Sequence, residues 1–464
     1  MMDWNGLRVH FIGIGGSGMS GIARIVAARG GKVSGSDYHD SSILNSLRTI
    51  GIEVSTEHDA KNIASLRPGT DIVVRSSAVA ENNVEIVAAR AAGISVMQRA
   101  EFLALLLEGY RSVAIAGTHG KTTTTSMLTV ALQHARRDPS FVIGATIRNS
   151  GTNAHQGSGD IFVVEADESD GSFTAYKPEA AIVTNIELDH VDNFQDISAI
   201  DLLFKDFVGT IKKNGVLVAC SDDDGVLRLL TEVAGQTTLR VSTYGEKGDP
   251  ELRLDRIVVD ATSSRARVTH QGRVLGEIQL SIPGRHNLFN AAAALLMGIH
   301  LGIPAAEMIA GLALFTGARR RFEIKGIVNG ITVVDDYGHH PTEVRATLET
   351  ARTYAGSGRV LTIFQPHRFS RTRAFTREFA EELGKADHTF LLEVYPAGES
   401  PIPGVSSLSI SQRMAEGTVT YEPSMPVVIE SVIAMATPGD LILTLGAGDV
   451  SSLGTLIVTN LQSS

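Results

Sequence analysis

The sequence predicts an α/β protein built from three successive domains. Its 464 residues exceed what one hydrophobic core ordinarily organises. Short apolar runs alternate with helix-like patterns, which is typical of parallel sheets covered by helices. Two of the apolar runs lead directly into glycine-rich turns, and each turn is followed by a helix-like pattern. We expect the domains to cover residues 1–106, 107–315 and 316–464.

The first domain has the strand, glycine turn and helix order of a Rossmann-like fold. A strand at 7–12 leads into Gly13-Ile14-Gly15-Gly16-Ser17-Gly18, which matches the spacing G-x-G-x-x-G, and a helix follows to Ala28. Asp37 lies about twenty residues further on, where a ribose-binding acid is expected. Further strands are predicted at 32–34, 71–74 and 94–97. The motif indicates nucleotide or pyrophosphate binding, with a purely structural turn as the alternative.

The central domain carries a phosphate loop between a strand at 112–116 and a helix. Its sequence is Gly117-Thr118-His119-Gly120-Lys121-Thr122-Thr123, a shortened variant of the G-x-x-x-x-G-K-[ST] pattern in which Ile115 replaces the first glycine. Backbone N–H groups and the helix N-terminus would face an anion, Lys121 would reach the outer phosphates, and the Thr122 hydroxyl would bind Mg²⁺. The pattern predicts a P-loop ATPase-like domain that binds ATP; the alternative is an ordinary glycine turn with a solvated lysine.

Acidic and histidine residues follow two further predicted strands of the central domain. Glu165 ends the strand at 161–164, and His190 follows the strand at 180–183. Ligands of open parallel sheets collect at the carboxyl ends of the strands. Glu165 is therefore a candidate Mg²⁺ ligand and His190 a candidate for a second metal. Helix capping by Asp167 or Ser169, and a satisfied interior histidine at 190, are the alternatives. Residues 240–282 predict an antiparallel attachment.

Polar clusters also follow the predicted strands of the third domain, at 331–334, 360–364, 389–392 and 441–445. The run Asp335-Asp336-Tyr337-Gly338-His339-His340 follows the first strand, and Gln365-Pro366-His367-Arg368-Phe369-Ser370-Arg371 follows the second. Together with Arg319–Arg321 these residues predict a cationic pocket, a solvated basic face being the alternative. Before this domain, Asn287 and Asn290 lie one helical turn apart and suit an adenine edge, although Asn287 is also a candidate cap.

These parts suggest that ATP activates a carboxylate. A carboxylate repels nucleophiles, whereas transfer of the γ-phosphate gives an acyl phosphate that an amine can attack. The net charge of −10 argues against nucleic acid as a partner. The lone Cys220 fits a reducing compartment, and the sequence shows neither a signal peptide nor a membrane-spanning stretch. We expect a cytoplasmic protein without a membrane partner.

The motifs together resemble those of the Mur ligase family, and within it the members that add the first amino acid of the peptidoglycan stem. The resemblance runs from His10–Met19 through Gly117–Thr122 to Asp336–Pro341 and Gln365–Arg368. It implies a ligase that joins L-alanine to the carboxylate of UDP-N-acetylmuramate in peptidoglycan synthesis. It further implies UDP on the first domain, ATP with Mg²⁺ on the second, the amino acid on the third, and a monomer or weak homodimer.

The resemblance also assigns roles to individual residues. Catalytic roles fall to Lys121, Glu165, His190, His339 and Arg368. ATP would contact Gly117, Thr118, His119, Gly120, Lys121, Thr122, Thr123, His286, Asn287, Asn290, Arg321 and Asp336. The metal ligands would be Thr122, Glu165 and His190. The UDP-sugar would contact Gly13, Gly15, Gly16, Ser17, Gly18, Ser36, Asp37 and Ser76, and the amino acid would contact Tyr337, His339, His367, Arg368 and Arg371. Relatives that add later residues carry a carbamylated lysine near the place of Lys205, which we leave outside the site.

Three other hypotheses remain. A recycling ligase would attach a preformed peptide to the same nucleotide sugar, but its first glycine loop typically carries a cysteine that this loop lacks. An NAD(P)-dependent oxidoreductase would explain the first glycine loop and leave Lys121 and Glu165 unexplained. A nucleotide sensor without turnover is disfavoured by the same intact residues.

Overall fold

The computed structural model describes residues 2–235 and 238–463. Two compact units are formed by segments that alternate along the chain. Unit 1 comprises Met1–Ile186, Asp201–Leu252 and Ala293–Leu312, and unit 2 comprises Glu187–Ile200, Arg253–Ala292 and Ala313–Ser464. Three α/β sheets are distributed over the two units. The exact domain boundaries at 106/107 and 315/316 stay a prediction.

The first sheet, in unit 1, is a five-stranded parallel sheet with the order β3-β2-β1-β4-β5. A short 3₁₀ helix at Ala60–Ile63 precedes β4. The strand order reverses beside β1, and such switch points are where α/β sheets bind ligands. The elements are β1 Arg8–Ile12, α1 Ser17–Ala28, β2 Lys32–Ser36, α2 Ser42–Arg48, β3 Glu53–Ser55, β4 Ile72–Arg75, α3 Val84–Ala91, β5 Ser95–Gln98 and α4 Arg99–Leu107.

The central sheet of unit 1 has the strand order β12-β11-β10-β6-β9-β7-β8. All its pairs are parallel except the last, between β7 and β8. A second 3₁₀ helix covers Ser172–Ala175. The elements are β6 Arg111–Ala116, α5 Lys121–His134, β7 Ser140–Val142, β8 Ala154–His155, β9 Ile161–Glu165, β10 Ala180–Val183, α6 Ile197–Thr210, β11 Val216–Cys220, α7 Asp224–Val233 and β12 Arg240–Gly245.

The predicted antiparallel attachment at 240–282 is confirmed only in its later part. Strands β13 Leu252–Val259, β14 Ser264–His270 and β15 Arg273–Leu280 are neighbours in that order, and β14 pairs antiparallel with β15. Its first strand was assigned wrongly, because β12 pairs in parallel with β11. The helix α7 between them makes this a β-α-β crossover, and such connections give parallel strands. Helices α8 Arg285–His300 and α9 Ala305–Ala313 follow.

The third sheet, in unit 2, has the order β16-β17-β21-β18-β19-β20, with only the edge pair β16–β17 antiparallel. The elements are β16 Glu323–Val328, β17 Ile331–Asp336, α10 Pro341–Ala355, β18 Val360–Phe364, α11 Phe369–Ala374, α12 Thr376–Leu383, β19 His388–Leu391, α13 Leu408–Ser411, β20 Val419–Tyr421, α14 Met425–Met435, β21 Leu441–Leu445 and α15 Ser451–Ser463.

The central strands of the third sheet are buried on both faces, which explains their continuous apolar sequences. Along β21, Leu441, Leu443 and Leu445 pack into one hydrophobic cluster, whereas Ile442 packs into a cluster on the other face. This alternation follows from the two-residue period of a strand. Both faces are covered by helices, as a predominantly parallel sheet requires. Among the described residues, no helix is long and apolar enough to cross a bilayer.

Candidate active site

The phosphate loop connects β6 to α5 with two glycines in the left-handed region. Gly117 has φ +132° and Gly120 has φ +82°, conformations that side chains disfavour. A Cβ at Gly117 would lie only 2.0 Å from Thr184 Oγ1, so the loop packs against the end of β10. Thr184 donates to the His119 carbonyl (2.6 Å), and His119 N–H donates to Asn185 Oδ1 (2.7 Å). The loop is therefore braced by two residues that the sequence analysis did not single out.

Lys121, the first residue of α5, is bonded to its own loop and to one carboxylate. Its Nζ donates to the carbonyls of Gly117 (2.6 Å) and Thr118 (3.0 Å) and lies 2.8 Å from Glu168 Oε2. Burial alone would lower the pKa of Lys121, but Glu168 and Asp167 raise it above its ordinary value. The ammonium is therefore charged at neutral pH and lies against the loop predicted to bind phosphates.

Glu165, the last residue of β9, lies beside the first turn of α5. Its carboxylate accepts from Thr122 Oγ1 (2.9 Å) and from Gly144 N–H (2.7 Å). A hydroxyl and a carboxylate side by side are oxygen ligands of the kind Mg²⁺ prefers. The next residue of the loop, Thr123, is buried in the same helical turn. The structure thus brings together the two predicted unit 1 metal ligands and the lysine.

The first-domain glycine loop is closed by bonds to the end of β2. Gly13 N–H donates to the Ser36 carbonyl (2.8 Å), and Gly15 N–H donates to Asp37 Oδ2 (2.8 Å). Ser76 also lies here, because a Cβ at Gly13 would be 3.1 Å from Ser76 Cβ. Helix α1 then starts at Ser17 with Gly16 as its N-cap and no side-chain cap. The predicted glycines therefore form one turn with Asp37 and Ser76 beside it.

The side chain of Ser36 is bonded within a buried polar cluster, and its predicted contact with the UDP-sugar stays a prediction. It is fully buried and donates to Glu85 Oε2 (2.6 Å). Glu85 is fully buried as well and also accepts from Asn62 (2.6 Å) and contacts His58 (2.8 Å) and His10 (3.5 Å). Burial alone would raise the pKa of Glu85, but these polar contacts lower it to about 2. Ser36 therefore belongs to a buried polar cluster beneath the glycine loop, which the sequence patterns did not reveal.

In unit 2, Asp336 ends β17 and ties the following turn together. Its carboxylate accepts from Phe322 N–H (2.7 Å), Gly338 N–H (2.8 Å) and Thr347 Oγ1 (3.1 Å). Burial raises the pKa of Asp336 above its ordinary value, although Arg321 opposes this. Arg321 lies over the Tyr337 ring, 5.2 Å from its centroid. The predicted ribose role of Asp336 stays a prediction, and in this structure the carboxylate serves the turn.

The His and Arg residues of unit 2 do come together, but they are less cationic than predicted. The His339 and His367 rings lie 5.7 Å apart, and Arg371 Nη2 lies 2.7 Å from Asp189 Oδ1. Burial and the nearby Arg371 lower the pKa of His339 to about 3 and that of His367 to about 4. The imidazoles are therefore neutral at pH 7.

Asp189 and Asp192 also make the cluster less positive than predicted, because each pairs with one of the arginines. Arg371 lowers the pKa of the buried Asp189 far below its ordinary value, against the effect of burial. Arg368 forms an ion pair with Asp192 and has φ +72°. The predicted positive charge is therefore reduced at Arg368 and Arg371, because both arginines already face carboxylates. Both acids follow β10 in the sequence. Because ligand-facing groups collect after the carboxyl ends of parallel strands, this position could have identified Asp189 and Asp192 as members of the site.

Of four further predicted residues, three have hydrogen-bonding contacts within their own helix or turn. Asn287 Nδ2 donates to the Pro283 carbonyl (2.7 Å), and Asn290 Nδ2 lies 3.5 Å from Asn287 Oδ1. Burial, with a smaller effect of Arg321, lowers the pKa of His286 to about 4. His190 has φ +50°, and its N–H donates to Asp189 Oδ1 (2.7 Å). The roles of these residues toward adenine or a second metal stay predictions. Lys205, left outside the site, pairs with Glu232 (3.1 Å).

Family comparisons cover nearly the whole chain. A model of the Mur ligase family catalytic domain matches residues 8–111, one of the Mur ligase middle domain matches 115–298, and one of the Mur ligase glutamate ligase domain matches 320–448. The chain belongs to the Mur ligase family. It is thus an ATP-dependent, amide-bond-forming ligase with the three-domain α/β architecture of that family. The oxidoreductase and sensor hypotheses are wrong.

Individual relatives agree with this assignment. The UDP-N-acetylmuramate–L-alanine ligase of Paenarthrobacter aurescens (strain TC1) is 47% identical over 97% of this chain and 96% of its own. The crystal structure of the UDP-N-acetylmuramate-alanine ligase from Thermotoga maritima aligns with a TM-score of 0.81 and 29% identity over 98% of this chain and 99% of that one. A murein peptide ligase from Psychrobacter arcticus 273-4 aligns with a TM-score of 0.73 and 24% identity over 99% of both chains, which shows the shared fold.

Proposed function

We propose that the protein joins L-alanine to the carboxylate of UDP-N-acetylmuramate, with conversion of ATP to ADP and phosphate, in peptidoglycan precursor synthesis. The observation that carries this proposal is the near full-length likeness, at 47% identity, to a relative named for that reaction. The phosphate loop supports it, because Lys121, Thr122 and Glu165 lie together at the N-terminus of α5.

The chemistry requires two steps. The carboxylate oxygen of the sugar acid attacks the γ-phosphorus of ATP, the bond to the β-phosphate oxygen breaks, and ADP leaves. The neutral amine of alanine then attacks the acyl carbon, and inorganic phosphate leaves with the electron pair of the broken C–O bond. The nitrogen loses one proton, to the departing phosphate or to water, and an amide forms. Each step concentrates negative charge on phosphate oxygens, which preorganised cations and N–H donors stabilise.

The residues of unit 1 suit the first step. Lys121 would bind the terminal phosphates of ATP after exchanging its carbonyl contacts for phosphate oxygens. Thr122 and Glu165 would bind Mg²⁺, which when present neutralises phosphate charge. The backbone N–H groups of the first-domain glycine loop would bind the diphosphate of the nucleotide sugar.

The residues of unit 2 suit recognition of the amino acid. Neutral imidazoles at His339 and His367 can accept or donate hydrogen bonds, and without a positive charge they do not attract an anion in addition to the alanine carboxylate. Tyr337, Arg368 and Arg371 complete the proposed alanine site. Because Asp189 and Asp192 pair with the two arginines, an alanine carboxylate would compete with them. We further propose a cytoplasmic location, a monomer or weak homodimer, and no nucleic-acid or membrane partner.

A recycling ligase that attaches a preformed peptide is the remaining alternative. The likeness to the murein peptide ligase, at 24% identity, supports a shared fold and gives no support for a shared substrate. The first glycine loop contains no cysteine, which also argues against this alternative.

The proposal is tested by measuring ADP release with ATP, Mg²⁺, UDP-N-acetylmuramate and either L-alanine, glycine, L-serine or the stem tripeptide. We expect release that requires the nucleotide sugar and is fastest with L-alanine. Release without the nucleotide sugar, or a preference for the tripeptide, would contradict the proposal.

A further inference from the structure

Arg99, the first residue of α4, lies between the first-domain glycine loop and the acidic run that follows β9. Its side chain is only 20% exposed. An added Cβ on Gly18 would lie 2.9 Å from Arg99 Nη1, so the guanidinium contacts the first turn of α1. On its other side, Arg99 Nη2 lies 3.7 Å from Asp167 Oδ2. Both neighbours belong to unit 1.

The guanidinium has few hydrogen-bonding partners for so enclosed a position. Burial alone would lower the pKa of Arg99, but the nearby acidic groups raise it, namely Tyr176, Asp167, Asp170 and Glu165. Within residues 2–235 and 238–463, the guanidinium donates no hydrogen bond, and Asp167 is its one ion-pair partner. The 3.7 Å separation exceeds hydrogen-bond distance, whereas Arg371 lies 2.7 Å from Asp189. Planar guanidinium donors that are not bonded to protein are suited to an anionic ligand with several oxygens.

The glycine loop itself lacks a cation. The first turn of α1 contains no basic residue of its own in the sequence Ser17-Gly18-Met19-Ser20, and no side chain caps it. The nearby Asp37 accepts the Gly15 N–H and adds a negative charge beside the loop. A helix N-terminus supplies only about half a positive charge, which Asp37 offsets. A cation from elsewhere would therefore strengthen the binding of a diphosphate at this loop.

We propose that Arg99 binds the diphosphate of the nucleotide sugar at the first turn of α1. Gly18 permits this contact because it leaves room for the guanidinium. Asn153 Nδ2 donates to the Ser17 carbonyl (2.8 Å), so the residue before β8 also holds this turn. The proposal rests on the proposed function, since it assumes that the glycine loop is the site of UDP.

The test is the affinity for UDP, measured by calorimetry on the full chain, which requires no turnover. Arg99→Ala should weaken UDP binding about tenfold or more and should flatten its dependence on salt, because one charge contact is lost. Arg99→Lys should weaken it less. Arg90→Ala is the matched control, since Arg90 lies in the same domain and pairs with Glu81 (2.7 Å), and it should bind UDP within about twofold of wild type.

A double-mutant cycle with Gly18→Ala tests the contact itself. The added methyl should displace the guanidinium and weaken UDP binding in the wild-type background, and it should have a smaller effect when Arg99 is already alanine. Binding of a non-hydrolysable ATP analogue and the melting temperature should stay unchanged in Arg99→Ala.

Each result decides the proposal. Unchanged UDP affinity in Arg99→Ala overturns it, as does an equal loss of UDP and ATP-analogue binding, which would indicate a structural role. A loss seen with UDP-N-acetylmuramate but not with UDP would assign Arg99 to the sugar acid and would also overturn it. If the wild-type protein binds no UDP, the proposed function itself fails.

Discussion

The two glycine loops of unit 1 share a strand-turn-helix backbone, but the charged side chain beside the backbone is a lysine in one loop and an aspartate in the other. Each follows a buried parallel strand and opens a helix, α1 in one case and α5 in the other. The central loop supplies its own cation, because Lys121 is the first residue of the helix that follows the loop. Lys121 also contacts Glu168. In the first loop an acid, Asp37, bonds to the backbone, and a cation from another helix, Arg99 of α4, contacts Gly18.

This difference indicates two different anions. The central loop combines a lysine with a hydroxyl and a carboxylate, as phosphoryl transfer with Mg²⁺ requires. The first loop offers N–H groups without metal ligands of this kind, which suits a phosphate that is bound and not cleaved. Function therefore follows from the side chains around the loops, since the strand-turn-helix backbone is shared.

Replacing Lys121, the cation of the central loop, should have the largest effect on turnover. Lys121→Ala should lower ADP release by about 10³-fold, because the developing phosphate charge loses its ammonium. UDP affinity should be unchanged, since we propose that UDP binds at the other loop. Lys212→Ala, a lysine that pairs with Glu179 in the same domain, is the control. Equal loss of turnover and UDP binding in a folded variant would remove the distinction between the loops.

The carboxylate partner of that lysine should matter next. Glu168→Gln should lower kcat/KM for ATP by about 10- to 100-fold, the equivalent of a charge-assisted hydrogen bond. The glutamine keeps an acceptor but leaves Lys121 without its charged neighbour. Glu232→Gln, at a surface pair with Lys205, should have no effect on the same assay. Unchanged kcat/KM for ATP in Glu168→Gln would show that the backbone carbonyls alone position the lysine.

The buried cluster beneath the first loop should be visible as acid sensitivity. The pKa of Glu85 is about 2 in the folded protein against an ordinary value of 4.5. Its contribution to stability, roughly 3 kcal/mol, is therefore present above about pH 4.5 and is lost as the pH falls from there toward 2. Urea denaturation between pH 3 and 7 should show this fall in the wild type and a flatter profile in Glu85→Gln. Glu81→Gln, at an exposed pair, should retain the wild-type profile; a Glu85→Gln profile as steep as wild type would contradict the cluster's role.

The acid beside the first loop should have the smallest effect. Asp37→Ala removes the acceptor of the Gly15 N–H and should weaken UDP binding about 3- to 10-fold, since one hydrogen bond braces the loop. ATP-analogue binding should not change. Asp40→Ala, an exposed pair with Arg48, serves as the control. Tighter UDP binding in Asp37→Ala would mean that charge repulsion outweighs the brace.

Much of the fold followed from local sequence patterns. The runs before both loops, and those at 360–364 and 441–445, are strands because they are short, mainly apolar and followed by helices. The short strands β3, β7, β8 and β20 were missed, since three or fewer residues carry no periodicity. The parallel pairing of β12 was missed because its first residues are exposed, and a partly exposed strand resembles an antiparallel one in sequence.

Site residues could be predicted from the sequence where a motif lies at the end of a strand. They could not be predicted where side chains from separate segments come into contact. Lys121, Thr122 and Glu165 lie together as expected. The Glu85 cluster joins residues 23 to 75 positions apart in the sequence. Arg99 contacts Gly18 across 81 positions and Arg371 pairs with Asp189 across 182, and no motif marks these contacts. Charge in particular could not be predicted, because burial and partners decide which histidines stay neutral.

The central claim is that the two loops bind two different phosphate ligands. Calorimetric titration of the wild-type protein with UDP, with a non-hydrolysable ATP analogue and Mg²⁺, and with each in the presence of the other tests it most directly. We expect one site for each ligand, no competition between them, loss of only the ATP-analogue site in Lys121→Ala and weakening of only the UDP site in Arg99→Ala. Mutual displacement of UDP and the ATP analogue from a single site would contradict the account.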